Sequence, residues 1–155
     1  MGFSNWFSWK NRNSLNRKHL PGVYAIAVSK KNLSGLRYKL SQDISYYGMT
    51  NSIGGLESRL RQFDHTIAGK TGHGGAKRFR FKYPDYERLS KMLYVAICPF
   101  NCDVQSNKVR DLLIMGKVAG YEYVCFASYV KKYKKLPEFN DKKRSPKKII
   151  ERNNN

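Results

Sequence analysis

Two short runs constrain the fold of this chain more than any other feature. Gly22–Ser29 (GVYAIAVS) and Ile44–Met49 (ISYYGM) are rich in apolar, β-branched and aromatic residues and are bounded by polar segments. Runs of this length and make-up read as strands rather than helices. Pro21 precedes the first run, and Lys30-Lys31-Asn32 follows it. Residues 30–43 form a polar excursion rich in Lys, Ser and Gly, so the strands are expected to pair as an antiparallel hairpin with a long loop. Met92–Cys98 (MLYVAIC) supplies a third strand.

The remaining periodicity is helical. Leu56, Leu60, Phe63 and Ile67 recur at helical spacing after the turn at residues 51–55. On that helix Arg59 lies about 70° from the centre of the apolar stripe, a shoulder from which a charged head can overlook a cleft while its stem is buried. Arg61 and His65 face solvent. Residues 69–75 (GKTGHGG) form a glycine-rich loop carrying His73. Residues 76–83 alternate basic and aromatic side chains (AKRFRFKY) and are read as a short strand or an exposed phosphate-facing segment. Pro84-Asp85 opens a short helix through Lys91, and residues 105–133 are helical with an interruption near Gly116 or Gly120. The expected architecture is a small α/β domain over residues 21–140, a three-stranded antiparallel sheet flanked by helices. A basic, aromatic lead-in strand or arm (1–20) precedes it and a basic, disordered tail (141–155) follows. Phe3, Trp6, Phe7 and Trp9 of the arm are expected to pack over the core edge.

Charge bounds the partner. The chain of 155 residues holds 30 Lys+Arg against 11 Asp+Glu, a formal net charge of +19. Eight of these basic residues lie in 1–42, twelve in 43–130 and ten in 131–155, so the whole surface, rather than a tail alone, attracts polyanions. Lys70, Lys77, Arg78, Arg80 and Lys82 are the expected nucleic-acid contacts. No apolar stretch approaches the roughly 20 residues that span a bilayer, and no signal-peptide core opens the chain, which points to a cytoplasmic location without membrane contact. Three cysteines, an odd number, fit a reducing interior. Cys98 and Cys125 read as small core residues, and the spacing of Cys98 and Cys102 suits no usual zinc site.

A few residues can carry chemistry. On a helix Val118, Glu122, Cys125 and Tyr129 share a face, and a carboxylate inside an apolar stripe is costly unless it is paired or holds a metal. Glu122 is therefore either a partner for an arginine or the ligand of a hard cation such as Mg²⁺ or Mn²⁺, whose other positions water and phosphate oxygens fill. No clustered carboxylates accompany it, which argues for one ion and against a two-metal site. Tyr24 and Tyr46, on neighbouring strands, can set two hydroxyls near one phosphate, or can be a core pair. A fixed guanidinium at Arg59 suits the oxygens of a phosphoryl group in transfer. His73 is either a plain loop histidine or a proton-handling or phosphate-contacting group.

The order of these motifs (Gly22-Val23-Tyr24, Tyr46-Tyr47-Gly48, Arg59 on a helix, Glu122 on a later helix, then Pro137-Glu138-Phe139-Asn140) resembles the GIY-YIG nuclease superfamily over roughly residues 20–140. The resemblance implies a Mg²⁺- or Mn²⁺-dependent DNA endonuclease with one ion per site, held by Glu122. Tyr24 would be the general base or water-orienting phenol, and Tyr46 would hold the nucleophile or phosphate. Arg59 would stabilise the pentavalent phosphate and Asn140 would support the site. Products would carry 5′-phosphate and 3′-hydroxyl ends. The sequence departs from the pattern at Tyr47, in the long step from Tyr24 to Tyr46, and at Phe63, where a His or Tyr is usual; His73 is the candidate replacement. Double-stranded DNA is the expected partner, with a homodimer serving double-strand cleavage. The competing class is a non-catalytic nucleic-acid-binding module using the basic, aromatic surface. A restriction, mobile-element or repair role is not distinguished.

Overall fold

The computed structural model describes residues 2–146. Its centre is β2 (Gly22–Val28), which pairs antiparallel with β3 (Ile44–Thr50) on one side and β4 (Leu93–Pro99) on the other. A two-residue strand, β1 (Phe7–Ser8), pairs with the outer edge of β4, giving a four-stranded antiparallel sheet in the order β1-β4-β2-β3. The fourth strand comes from the N-terminal segment, expected as a lead-in strand or arm, and takes up two residues of it.

Alternation along β2 sends its side chains to two cores. Tyr24 and Ile26, with Val95 and Ile97 of β4, face α1 (Gly55–Ile67), α2 (Gly74–Lys82) and α3 (Tyr86–Met92). Val23, Ala25 and Ala27, with Ala96 and Cys98, face the long α4 (Val109–Tyr133). Burial on both faces explains the nearly continuous apolar run of β2. Small side chains at Ala25, Ala27 and Ala96 lie where α4 packs on the sheet.

The N-terminal segment is built into the fold rather than lying over it. Trp9, fully buried, starts a 3-10 turn (Trp9–Ser14) and donates its indole N–H to Asp64 Oδ1 at 2.7 Å. Asp64 also pairs with Arg12 at 2.9 Å and accepts the Tyr86 hydroxyl at 2.9 Å, tying the N-terminus, α1 and α3 together. The first turn of α1 has N–H groups without helical partners. The Leu20 carbonyl accepts from Leu56 (3.0 Å) and the Lys18 carbonyl from Glu57 (2.7 Å), which fixes the helix that carries Arg59.

Two local expectations are corrected. Residues 76–83 are neither strand nor exposed segment; most of them form α2, with Ala76 and Phe79 in the core. The alternation of Phe79, Phe81 and Tyr83 looks like a strand, but the His73 imidazole caps the helix by accepting the Ala76 N–H at 3.1 Å. The spacing of buried Gly75, Ala76, Arg78 and Phe79 is helical. Similarly α4 runs uninterrupted for 25 residues from Val109. Gly116 and Gly120 lie on its open side, and anchoring by Val118, Cys125 and Tyr129 outweighs a cost of about 1 kcal/mol for each glycine. The tail expected over 141–155 falls outside the described residues from position 147 onward. No helix among the described residues is long and apolar enough to cross a membrane.

Candidate active site

The site lies where β2, β3, α1, α2 and α4 bring their polar side chains together. β3 positions Tyr46 through a bulge: Ile26 pairs with Tyr46 and Ala27 with Ile44, leaving Ser45 extra. Residues past α4 complete this edge. Phe139 donates its N–H to the Ser45 carbonyl (3.0 Å), and the Asn140 carboxamide accepts the Tyr47 N–H (2.8 Å) and donates to the Tyr47 carbonyl (2.9 Å). The side-chain amide thus stands in for the next strand and closes an edge that would otherwise be open. Phe139 anchors it, stacked on Phe79 with ring centroids 3.9 Å apart.

Two glycines allow the tyrosines to sit this deep. A Cβ at Gly48 would run into the Tyr24 ring, and one at Gly75 would come within 2.6 Å of the Tyr46 ring. Tyr24 has no exposed surface, whereas Tyr46 is partly open, with ring centroids 6.1 Å apart. His73 lies 2.7 Å from the Tyr24 hydroxyl through Nε2. Its Nδ1 accepts from Ala76, and a neutral imidazole has only one acceptor nitrogen, so Nε2 carries the proton and donates to Tyr24. The Tyr46 ring lies beside this pair, with its centroid 5.8 Å from that of His73.

Electrostatics separate the members of the cluster. Burial lowers the His73 pKa to about 3, with the Arg59 charge acting in the same direction, so the ring is neutral. Burial raises both tyrosines, and Arg59 opposes it at each. Tyr46 also feels Arg78, which acts in the same direction as Arg59. Burial raises Glu122 above its usual value, again opposed by Arg59. Glu122 forms none of the ion pairs found among the described residues. Arg59 reaches Gln62 Oε1 at 3.0 Å through Nη1, while its Nε is buried without a partner.

Tyr24, Tyr46, Arg59, His73 and Glu122, drawn from five elements, therefore come together, and Asn140 braces the strand under Tyr46. The five basic residues expected as nucleic-acid contacts fall in different surroundings. Lys70, Lys77 and Arg80 are at the surface; Lys82 is paired with Glu138; Arg78 is buried and turned toward Tyr46 and His73. The inward turn of Arg78 was hidden in the sequence because the segment's alternation masked its helical period. The one available signal was its spacing of three from Gly75. Among the described residues no three His, Cys, Asp or Glu side chains cluster as a metal-ligand set. A cation at this site would accordingly have Glu122 as its protein ligand. An unpaired, half-buried carboxylate is a suitable hard donor for a Mg²⁺-type ion that keeps most of its water.

No protein-family model matches the chain, and neither a curated protein nor a solved structure matches it.

Proposed function

We propose that this protein is a divalent-metal-dependent endonuclease that hydrolyses phosphodiester bonds of DNA, with a GIY-YIG-type site holding one ion. The observation that carries the proposal is a half-buried carboxylate in no ion pair among the described residues, Glu122, within electrostatic reach of Arg59 and of the partly open phenol of Tyr46. A pure binding surface has no use for an inward acid next to phosphate. Hydrolysis needs a cation on the phosphoryl oxygens, a group to orient water and an anchor for a metal, and these residue types supply all three.

Glu122 would hold Mg²⁺ or Mn²⁺, which neutralises charge developing on the phosphate and its leaving oxygen. Arg59 would fix the non-bridging oxygens. Tyr46 faces the opening and would orient the attacking water. Tyr24 has no exposed surface and would act through Tyr46, with His73 holding its hydroxyl in place. Products would carry 5′-phosphate and 3′-hydroxyl ends. One site cuts one strand, so a double-strand break takes two copies or two successive nicks.

The test is incubation of supercoiled plasmid with wild type and Glu122→Ala, with Mg²⁺ or EDTA. Metal-dependent nicking by wild type, absent from a variant that still shifts DNA, is the expected result. DNA binding by wild type without cleavage under any metal would favour the non-catalytic binding module instead.

A further inference from the structure

Arg78 is a charged side chain that forms no ion pair among the described residues. It retains 9% of its exposure, and its Nη1 is buried with no hydrogen-bond partner among the described residues. A guanidinium is always protonated, so such a group is costly in the free protein unless a ligand completes it. Gly75 and Arg78 stand three apart on α2 and so share a face, and Gly75 lies directly against the Tyr46 hydroxyl end. Helical side chains lean toward the N-terminus, which brings the Arg78 head toward the first turn of α2. That turn, opened by Gly74 and Gly75, adds free backbone N–H groups and the positive end of the helix dipole. Arg59 acts on Glu122 and on both tyrosines and His73, and Arg78 adds a second positive charge at Tyr46 and His73 alone, on the α2 side of the cluster.

We propose that Arg78 and the first turn of α2 form a second phosphate-binding position, which takes the phosphate flanking the scissile one on the same strand. The assignment rests on the nuclease reading for the identity of the ligand, but the anion position itself does not require turnover. It makes the protein an enzyme of internal phosphodiesters. A minimal phosphodiester lacking the flanking phosphate would leave Arg78 unpaired and be a poor substrate.

The test is a titration of the full chain with inorganic phosphate, without metal or DNA, at constant ionic strength, following the Gly74 and Gly75 amide resonances. Wild type should show saturable shifts. Arg78→Gln should weaken phosphate binding tenfold or more. Arg78→Lys, which keeps the charge but loses the planar fork, should weaken it severalfold. Arg88→Gln, exposed on α3 and outside the site, should leave it unchanged. Should Arg78→Gln fail to fold, the Arg78→Lys comparison decides. Equal affinities for wild type and the Arg78 variants, or an equal loss in Arg88→Gln, would overturn the proposal. Arg78-dependent phosphate binding in a protein that cuts no DNA would uphold this position and defeat the nuclease reading. DNA cleavage with phosphate binding indifferent to Arg78 would do the reverse.

Discussion

His73 donates from Nε2 to the Tyr24 hydroxyl across 2.7 Å while its Nδ1 accepts the Ala76 N–H at 3.1 Å. One ring thereby caps α2 and orients a phenol on β2. Both ring nitrogens are committed, so His73 has no free lone pair with which to remove a proton from water. It is a positioning residue, and the bond that Nδ1 accepts requires its ring to be neutral.

Stability should report that neutrality. The folded His73 pKa is depressed to about 3, against 6.5 for the free side chain. Above pH 6.5 the residue is neutral in both states and makes no pH-dependent difference. As pH falls from 6.5 toward 3, the unfolded chain takes up a proton that the folded one refuses, and stability is lost. Denaturation midpoints of wild type should therefore fall more steeply through this window than those of His73→Asn, which keeps a capping side chain. Parallel pH profiles for the two proteins would contradict the assignment.

The two tyrosines should separate into a structural and a reactive one. Tyr46→Phe should lower kcat by about 10²–10⁴-fold with little change in melting temperature. Tyr24→Phe leaves the His73 N–H buried without its acceptor and should cost about 1–3 kcal/mol of stability as well as activity. Chemical denaturation beside single-turnover cleavage distinguishes the two patterns. Equal stability losses would refute the division.

Asn140 should behave as a strand residue supplied by a side chain. Asn140→Asp places a carboxylate against the Tyr47 carbonyl, and should cost about 1–3 kcal/mol and displace Tyr46. Hydrogen exchange at the Tyr47 amide, which donates to Asn140 Oδ1, should speed up in the variant. Unchanged protection there would show that the clamp does not hold the edge.

Gly75→Ala tests the close approach of α2 to Tyr46. The added methyl falls within 2.6 Å of the ring, so the helix or the phenol must shift. The expected outcome is a fold retained with about 1–3 kcal/mol of strain and cleavage strongly reduced. Wild-type rates in this variant would mean that the position of Tyr46 is not critical.

Much of this architecture was legible because its signals are local. β2, β3 and β4 are apolar runs with clear ends, and the stripe of Leu56, Leu60, Phe63 and Ile67 forms α1 with Arg59 half-buried on its shoulder. What was not legible depends on partners far along the chain. β1 exists because Phe7 and Ser8 pair with Val95 and Tyr94, and a segment legible only as a lead-in strand or arm does not announce which edge it joins. α2 hid behind an aromatic alternation because its cap is a histidine, a residue that sequence rules do not rank as an N-cap. Asn140 was placed in the site by its motif alone. Its physical task, completing the edge of β3, depends on a contact spanning 93 residues. The inward turn of Arg78 follows from the same missed helix.

Hydrolysis of a phosphodiester at the proposed site of Tyr46, Arg59 and Glu122 is tested by single-turnover cleavage of an end-labelled duplex in Mg²⁺ by wild type and Glu122→Gln, followed by treatment of the nicked product with DNA ligase. Wild type should leave nicks that ligase reseals, which requires 5′-phosphate and 3′-hydroxyl ends. Glu122→Gln should lose about 10³-fold or more in rate with DNA affinity retained. Cleavage undiminished in the variant, ends that ligase cannot seal, or no cleavage by wild type would overturn the proposed function.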